Sequence, residues 1–200
     1  MISIYKIKPK FQAFLTPVLS LLFRLGCTAN MITWAAILLS VITGIIAFLY
    51  PGKFALILMP ISLFVRMALN ALDGMMARTY NMQSKKGEIL NELGDVTSDF
   101  IMFYPIGVLF KLQPIILVMF LFLSIVNEYS GILGKAVSGE RRYEGPMGKS
   151  DRAFVVGLTC ILFLISPNWT KYSNYMFCLV CSLLTFSTLV RIHKTLKLEK

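Results

Sequence analysis

Apolar residues in this chain fall into six long runs separated by short polar connections. The runs are roughly Met31–Tyr50, Phe54–Leu72, Asp95–Phe110, Leu112–Leu133, Ala153–Ile165 and Tyr172–Val190. A bilayer span takes about twenty helical residues at ~1.5 Å each, so the pattern predicts six transmembrane helices. The third and fifth runs are short. They borrow polar ends, which a membrane tolerates only in a protein-lined cavity. Ahead of the first run, "KFQAFLTPVLSLLFRL" puts Phe11, Phe14, Leu15, Val18, Leu19, Leu22 and Phe23 at helical spacing, with Gln12, Thr16, Ser20 and Arg24 opposite. This predicts an amphipathic helix over 10–25, lying in the membrane interface or packed on the protein itself, with Pro17 as a place for a kink. No internal repeat or low-complexity linker interrupts the chain. The reading is a single all-α integral membrane domain over 1–200, with its six-helix bundle over 31–190.

Composition strengthens the membrane reading. Hydrophobic residues make up 56% of the chain, charged residues 15%, and the mean hydropathy is +0.71. A soluble domain of this size cannot hide that much apolar side chain. Twenty Lys and Arg against ten Asp and Glu give a net charge of +10. The basic residues lie mainly between apolar runs, so the expected partners are membrane lipid head groups and phosphorylated substrates, not nucleic acid.

The basic residues also orient the chain. Lys6, Lys8, Lys10 and Arg24 precede the first run; Arg78, Lys85 and Lys86 follow the second; Lys135, Arg141, Arg142, Lys149 and Arg152 follow the fourth; and Arg191, Lys194, Lys197 and Lys200 close the chain. The other connections carry only Lys53, Lys111 and Lys171. Positive residues stay inside, which puts both termini and the connection after the second run in the cytoplasm. No cleavage site follows the first apolar run, so no cleavable signal peptide is expected. Cys178 and Cys181 form a C-x-x-C inside an apolar run, without His or acidic neighbours. Together with Cys27 and Cys160 they make no disulfide framework.

Half of the ten acidic residues (Asp73, Glu88, Glu92, Asp95 and Asp99) crowd into "LNALDGMMARTYNMQSKKGEILNELGDVTSDF", where two apolar runs meet. Asn91, Asp95 and Asp99 recur every four residues and share a helical face, as do Asn70 and Asp73 on the preceding helix. Two faces bearing oxygen ligands can converge on one hard cation. Gly74 and Gly87 allow close backbone approach, and Arg78 suits phosphate.

The stretch resembles the signature of the CDP-alcohol phosphatidyltransferase family, D-x-x-D-G-x-x-A-R, eight residues, then G-x-x-x-D-x-x-x-D. Here it reads Asn70, Asp73-Gly74, Ala77-Arg78, Gly87, Asn91 and Asp95. "TANMIT" from Thr28 to Thr33 is similar to the family's T-P-N-x-[IL]-T, with Ala29 in place of Pro, and "GPMGKSDRA" from Gly145 to Ala153 to its later G-K connection. "NALDG" resembles a bacterial inner-membrane branch. The resemblance implies transfer of a phosphatidyl or related group from a CDP-alcohol, such as CDP-diacylglycerol, to a hydroxyl acceptor with release of CMP. It also implies Mg²⁺ or Mn²⁺ at the four positions Asn70, Asp73, Asn91 and Asp95, with Asp95 as base, and a homodimer with a cytoplasmic site in the bacterial inner (plasma) membrane. Two of those four positions are amides. Glu88, Glu92 or Asp99 can compensate, or the site binds a nucleotide-lipid without turnover; a small transporter is the remaining alternative.

Other residues carry two readings each. Asn30 and Thr33 either hydrogen-bond the nucleotide or cap the first span. Arg66, one turn before Asn70, either serves the site or snorkels. Glu128 either lines an acceptor pocket or pairs with a basic residue. Lys149 and Arg152, at i and i+3, either meet an anionic acceptor or lipid phosphate or only set topology. The orientation is directly testable. Reporter fusions after Lys86 and Lys149 are expected to read cytoplasmic, and fusions near Gly52 and Asn168 the opposite side; a non-cytoplasmic signal after Lys86 would overturn it.

Overall fold

The structure, a computed structural model, describes residues 8–197. Lys6 and Lys200, counted in the basic asymmetry, lie outside the described residues. Among the described residues eight α-helices follow one another: α1 Lys8–Arg24, α2 Ala29–Leu49, α3 Lys53–Thr79, α4 Lys85–Phe103, α5 Ile106–Leu109, α6 Pro114–Ser138, α7 Lys149–Ile165 and α8 Ser173–Leu196. A 3₁₀ turn over Pro167–Tyr172 leads into α8. Among the described residues there is no strand. Four segments among them are long and apolar enough to cross a membrane: α2, α3, α6, and α8 with its leading turn. α4 carries Lys85, Lys86, Glu88, Glu92, Asp95 and Asp99, and α7 has only 17 residues, so neither meets that measure.

Helix ends follow local chemistry. Thr28 caps α2, its hydroxyl oxygen accepting from the Met31 N–H at 3.3 Å. Ser84 caps α4 in the same way, accepting from the Gly87 N–H at 3.0 Å. The apolar pattern placed the third run at Asp95–Phe110, but α4 starts at Lys85, because a capped and amphipathic first half is helical without being apolar. It ends before Pro105, whose missing N–H cannot extend the ladder, and α5 begins at Ile106. α3 runs beyond its apolar part to Thr79 and is closed by Asn81 at φ 54° with Met82 N–H on the Ala77 carbonyl at 2.9 Å. Asparagine is among the few residues that tolerate that left-handed backbone.

The helices divide into two compact units, one ending at Pro105 and one beginning at Ile106. In the first, α2 packs against both α3 and α4, and α1 against α3. Leu15 and Leu19 of α1 are buried with Ala29, Ile32, Leu72 and Met76. Phe14, Val18, Leu21 and Leu25 remain exposed, so the helix packs on the protein and still offers an apolar stripe. In the second unit α6 packs along α8. Phe110, Phe120, Phe163 and Phe177 interlock there, with ring centroids 4.8 to 5.7 Å apart.

The contact between α2 and α4 depends on a missing side chain. A Cβ on Gly44 would stand 2.6 Å from the Ile101 carbonyl oxygen, a backbone atom that cannot move aside. Gly44→Ala is therefore expected to destabilise the protein by about 1–3 kcal/mol, although alanine is the better helix former. Gly52, whose added Cβ meets nothing within 4 Å, is the control and is expected to stay within about 1 kcal/mol as alanine. Thermal unfolding in detergent compares them; equal melting temperatures would refute the close-approach argument.

Candidate active site on helices α2, α3 and α4

The polar residues of the acidic stretch meet in the first unit. α3 brings Asn70 and Asp73, and α4 brings Asn91 and Asp95. Asn91 Nδ2 donates to Asp73 Oδ2 at 2.9 Å, and Asn70 Nδ2 donates to Asp95 Oδ1 at 3.2 Å. Each helix thus contributes one carboxylate and one amide, and each amide reaches across to the other helix. Asp73 is 4% exposed, and its Oδ2 takes a second donor, the Thr33 hydroxyl of α2 at 3.0 Å, a proton shared with the Ala29 carbonyl at 3.1 Å. Burial of an ionised carboxylate is tolerable only with such donors.

One turn before Asn70, Arg66 does not snorkel. It is 3% exposed; its Nη1 donates to Asp99 Oδ1 at 2.6 Å and its Nη2 to the Asp95 carbonyl at 3.1 Å. The same Nη2 stands 3.9 Å from Asp95 Oδ1. Asp99 is thereby bound to a guanidinium inside the protein. Glu92 is half-buried on α4 and Glu88 exposed in its first turn.

The small residues have distinct parts. A Cβ on Gly87 would stand 2.7 Å from Asn30 Oδ1 and 3.0 Å from the Ser84 hydroxyl, so the glycine lets the Asn30 amide lie on the start of α4. With Thr28 capping α2, neither Asn30 nor Thr33 is needed as a cap. The Arg78 guanidinium lies over Gly74, its Nη1 3.2 Å from the place of a Cβ, and the Arg78 side chain is otherwise exposed. Ala77 packs against the core of α1, α2 and α3. Ala29, where proline is usual, is the first residue of α2, a position that proline favours and alanine also suits.

These donors fit a hard divalent cation in one respect. Two carboxylates with neutral oxygens nearby are what Mg²⁺ commonly takes from a protein, the rest coming from water and phosphate. Among the described residues no three His, Cys, Asp or Glu side chains converge as a ligand set. The amides present their NH₂ groups to the carboxylates, which leaves only their neutral carbonyl oxygens to offer a cation.

Lys149 and Arg152 lie in the second unit. Arg152 is fully buried, donating from Nη2 to Glu128 Oε1 at 2.9 Å and from Nη1 to the Met147 carbonyl at 3.2 Å. Glu128 also takes Arg141 Nη2 on Oε2 at 3.1 Å, so pairing, the second of its two readings, is what the fold provides. Arg191, buried on α8, donates to the Asn127 carbonyl at 2.6 Å and the Glu144 carbonyl at 3.1 Å. The connection before α7 is therefore strapped to α8 by guanidinium. Burial pushes the Glu144 carboxyl up, but its own backbone N–H, the Lys194 ammonium and the Tyr143 N–H hold it below the usual carboxylate range. Lys149 is half-buried at the start of α7. Asn127 and Arg191 escaped the sequence reading: one is a polar residue inside an apolar run, and the other was counted only as topology.

Comparison with known proteins bears on the family and the fold. The chain is 41% identical to the inner membrane protein YnbA of Escherichia coli (strain K12) over 194 residues, covering 97% of this chain and 96% of that one. Its fold is similar to that of the Mycobacterium tuberculosis phosphatidylinositol phosphate synthase PgsA1 with CDP-DAG bound, with a TM-score of 0.72, 23% identity, and coverage of 90% of this chain and 92% of that one. The same enzyme in complex with manganese and citrate also gives a TM-score of 0.72, at 22% identity, covering 90% and 88%. The profile for CDP-alcohol phosphatidyltransferases matches residues 27–191, which include every residue of the α2–α3–α4 cluster, and the chain belongs to the CDP-alcohol phosphatidyltransferase family.

Proposed function

We propose that this protein is a membrane phosphatidyltransferase of phospholipid biosynthesis. It moves a phosphatidyl or related group from a CDP-alcohol, CDP-diacylglycerol being the leading choice, to a hydroxyl acceptor and releases CMP. It sits in a bacterial inner membrane with six spans, α1 in the interface, and both termini and the polar cluster on the cytoplasmic side. The observation that carries the reading is the pair of crossed amide–carboxylate bonds between α3 and α4, set within the family signature beside Arg78. PgsA1 is described with CDP-DAG bound and with manganese, and its likeness in fold supports the same donor class and a divalent ion here.

In this reading Arg78, exposed at the end of α3, meets the donor's phosphate by charge-assisted hydrogen bonds. Asn30 and Thr33 bring side-chain polar groups from α2 to the nucleotide, while Gly74 and Gly87 keep the approach open. The acceptor oxygen bonds to the phosphorus bearing the lipid, the phosphoanhydride bond breaks, and CMP departs with the electron pair. Asp95 takes the acceptor's hydroxyl proton on a carboxylate oxygen, held in place by Asn70. Mg²⁺ or Mn²⁺, held by Asp73 and Asp95 with Asn70 and Asn91, supplies Lewis-acid neutralisation of the diphosphate when bound. Lys149 serves an anionic acceptor or the lipid phosphate, and Arg152, expected from the resemblance to share that role, acts through the buried pairing with Glu128 that fixes the start of α7.

Two outcomes test this. Asp95→Asn keeps the side chain's size but removes the base, and is expected to abolish CMP release from CDP-diacylglycerol while leaving the thermal unfolding profile in place. CMP release that survives Asp95→Asn, or that persists in a chelator, would sink the mechanism, and absence of release from the wild-type protein with a full panel of acceptors would favour a binding role. Lys149→Ala is expected to raise the acceptor's apparent KM roughly ten- to a hundredfold, the value of one charge-assisted contact, with the donor's KM little changed. Equal effects on both substrates would point to topology instead.

A further inference from the structure

We propose that this site takes a single divalent cation per chain, and that Arg66 permanently supplies the positive charge that a second cation would bring. The inference deepens the reading above and rests on it for the identity of the site. Four positions face the α3–α4 junction, and only two of them, Asp73 and Asp95, are carboxylates. Two dications about 3.5–4 Å apart are held together by negative charge that bridges them. Neutral amides at Asn70 and Asn91 halve that charge and, in the folded protein, spend their NH₂ groups on the two carboxylates at 2.9 and 3.2 Å.

The third observation is the guanidinium. Arg66 is 3% exposed, 2.6 Å from Asp99 Oδ1 and 3.9 Å from Asp95 Oδ1. It pairs with Asp99, one turn beyond Asp95, so that carboxylate does not restore the missing charge, and its guanidinium beside Asp95 disfavours a second cation on that side of the junction. A fixed cation, two fixed donors and two carboxylates leave charge for one hard ion. The fold therefore performs with its own side chains part of what a second metal would do.

Mn²⁺ alone is the probe, titrated into the full-length protein in nanodiscs, with and without CDP-diacylglycerol and with no acceptor, and read by electron paramagnetic resonance and equilibrium binding. One Mn²⁺ per chain with the spectrum of an isolated ion is expected. Two per chain, or a spin-coupled pair, overturns the proposal, as does no binding in either condition. The double variant Asn70→Asp/Asn91→Asp is expected to raise the count from one to two; a count that stays at one removes the charge argument. For Arg66, Asp99→Asn is compared with Arg66→Met/Asp99→Asn, which avoids stranding a buried carboxylate. Loss of the guanidinium is expected to tighten Mn²⁺ binding by about tenfold or more, and equal affinities would remove Arg66 from the proposal. One ion bound without CMP release would leave this inference standing and defeat the enzymatic reading, whereas two ions with CMP release would do the reverse.

Discussion

Two hydrogen bonds that cross between α3 and α4, Asn91 to Asp73 and Asn70 to Asp95, are the constraint on which the first unit depends. Carboxylates at the edge of an apolar bundle are costly to desolvate, and each needs a donor that the fold guarantees. Side chains one turn apart on each helix supply those donors reciprocally, so neither helix can rotate or slide without exposing a charge to the other. Arg66 adds a second tie one turn deeper, to Asp99 and to the backbone of Asp95. Depth and polarity are matched along this seam, with the guanidinium pair buried and Arg78 exposed at its end.

α2 makes the seam possible from outside. It packs on both α3 and α4, and its Thr33 hydroxyl reaches the same Asp73 oxygen that Asn91 uses. Close packing of α2 on α4 needs glycine at Gly44, and close packing of Asn30 on the start of α4 needs glycine at Gly87. These are steric conditions on an electrostatic device: the polar groups meet at hydrogen-bond distance because the backbones come near enough where side chains are absent.

The second unit solves a related problem with the opposite sign. Arg152 and Arg191 are almost wholly buried, and Glu128 with backbone carbonyls of Asn127, Glu144 and Met147 receives them. Guanidinium suits this because its planar fork meets several oxygens at once. The connection between α6 and α7 is held to α8 by these bonds and by Ser187 on the Glu144 carbonyl at 3.2 Å, which positions the start of α7 and Lys149 with it.

Periodicity and composition alone determined the helical class and the position of the leading helix along the chain, because a 3.6-residue repeat is a local property; of the six apolar runs, four lie in helices long and apolar enough to cross a membrane among the described residues. The spacing of Asn70 and Asp73, and of Asn91 and Asp95, set each pair on one helical face, since helical steps of three and four fix a face before any partner is known. Tertiary structure alone decided what those residues do to one another. The sequence left Asn70 and Asn91 as weak neutral ligands, but across the helix gap they are donors to Asp95 and Asp73. It left Asp99 able to compensate for them, but Arg66 holds it; and it read Arg191 as topology, though it is a buried strap. Each of these pairings joins residues at least 18 positions apart. Which amide meets which carboxylate depends on how helices cross and rotate, and no local pattern encodes that.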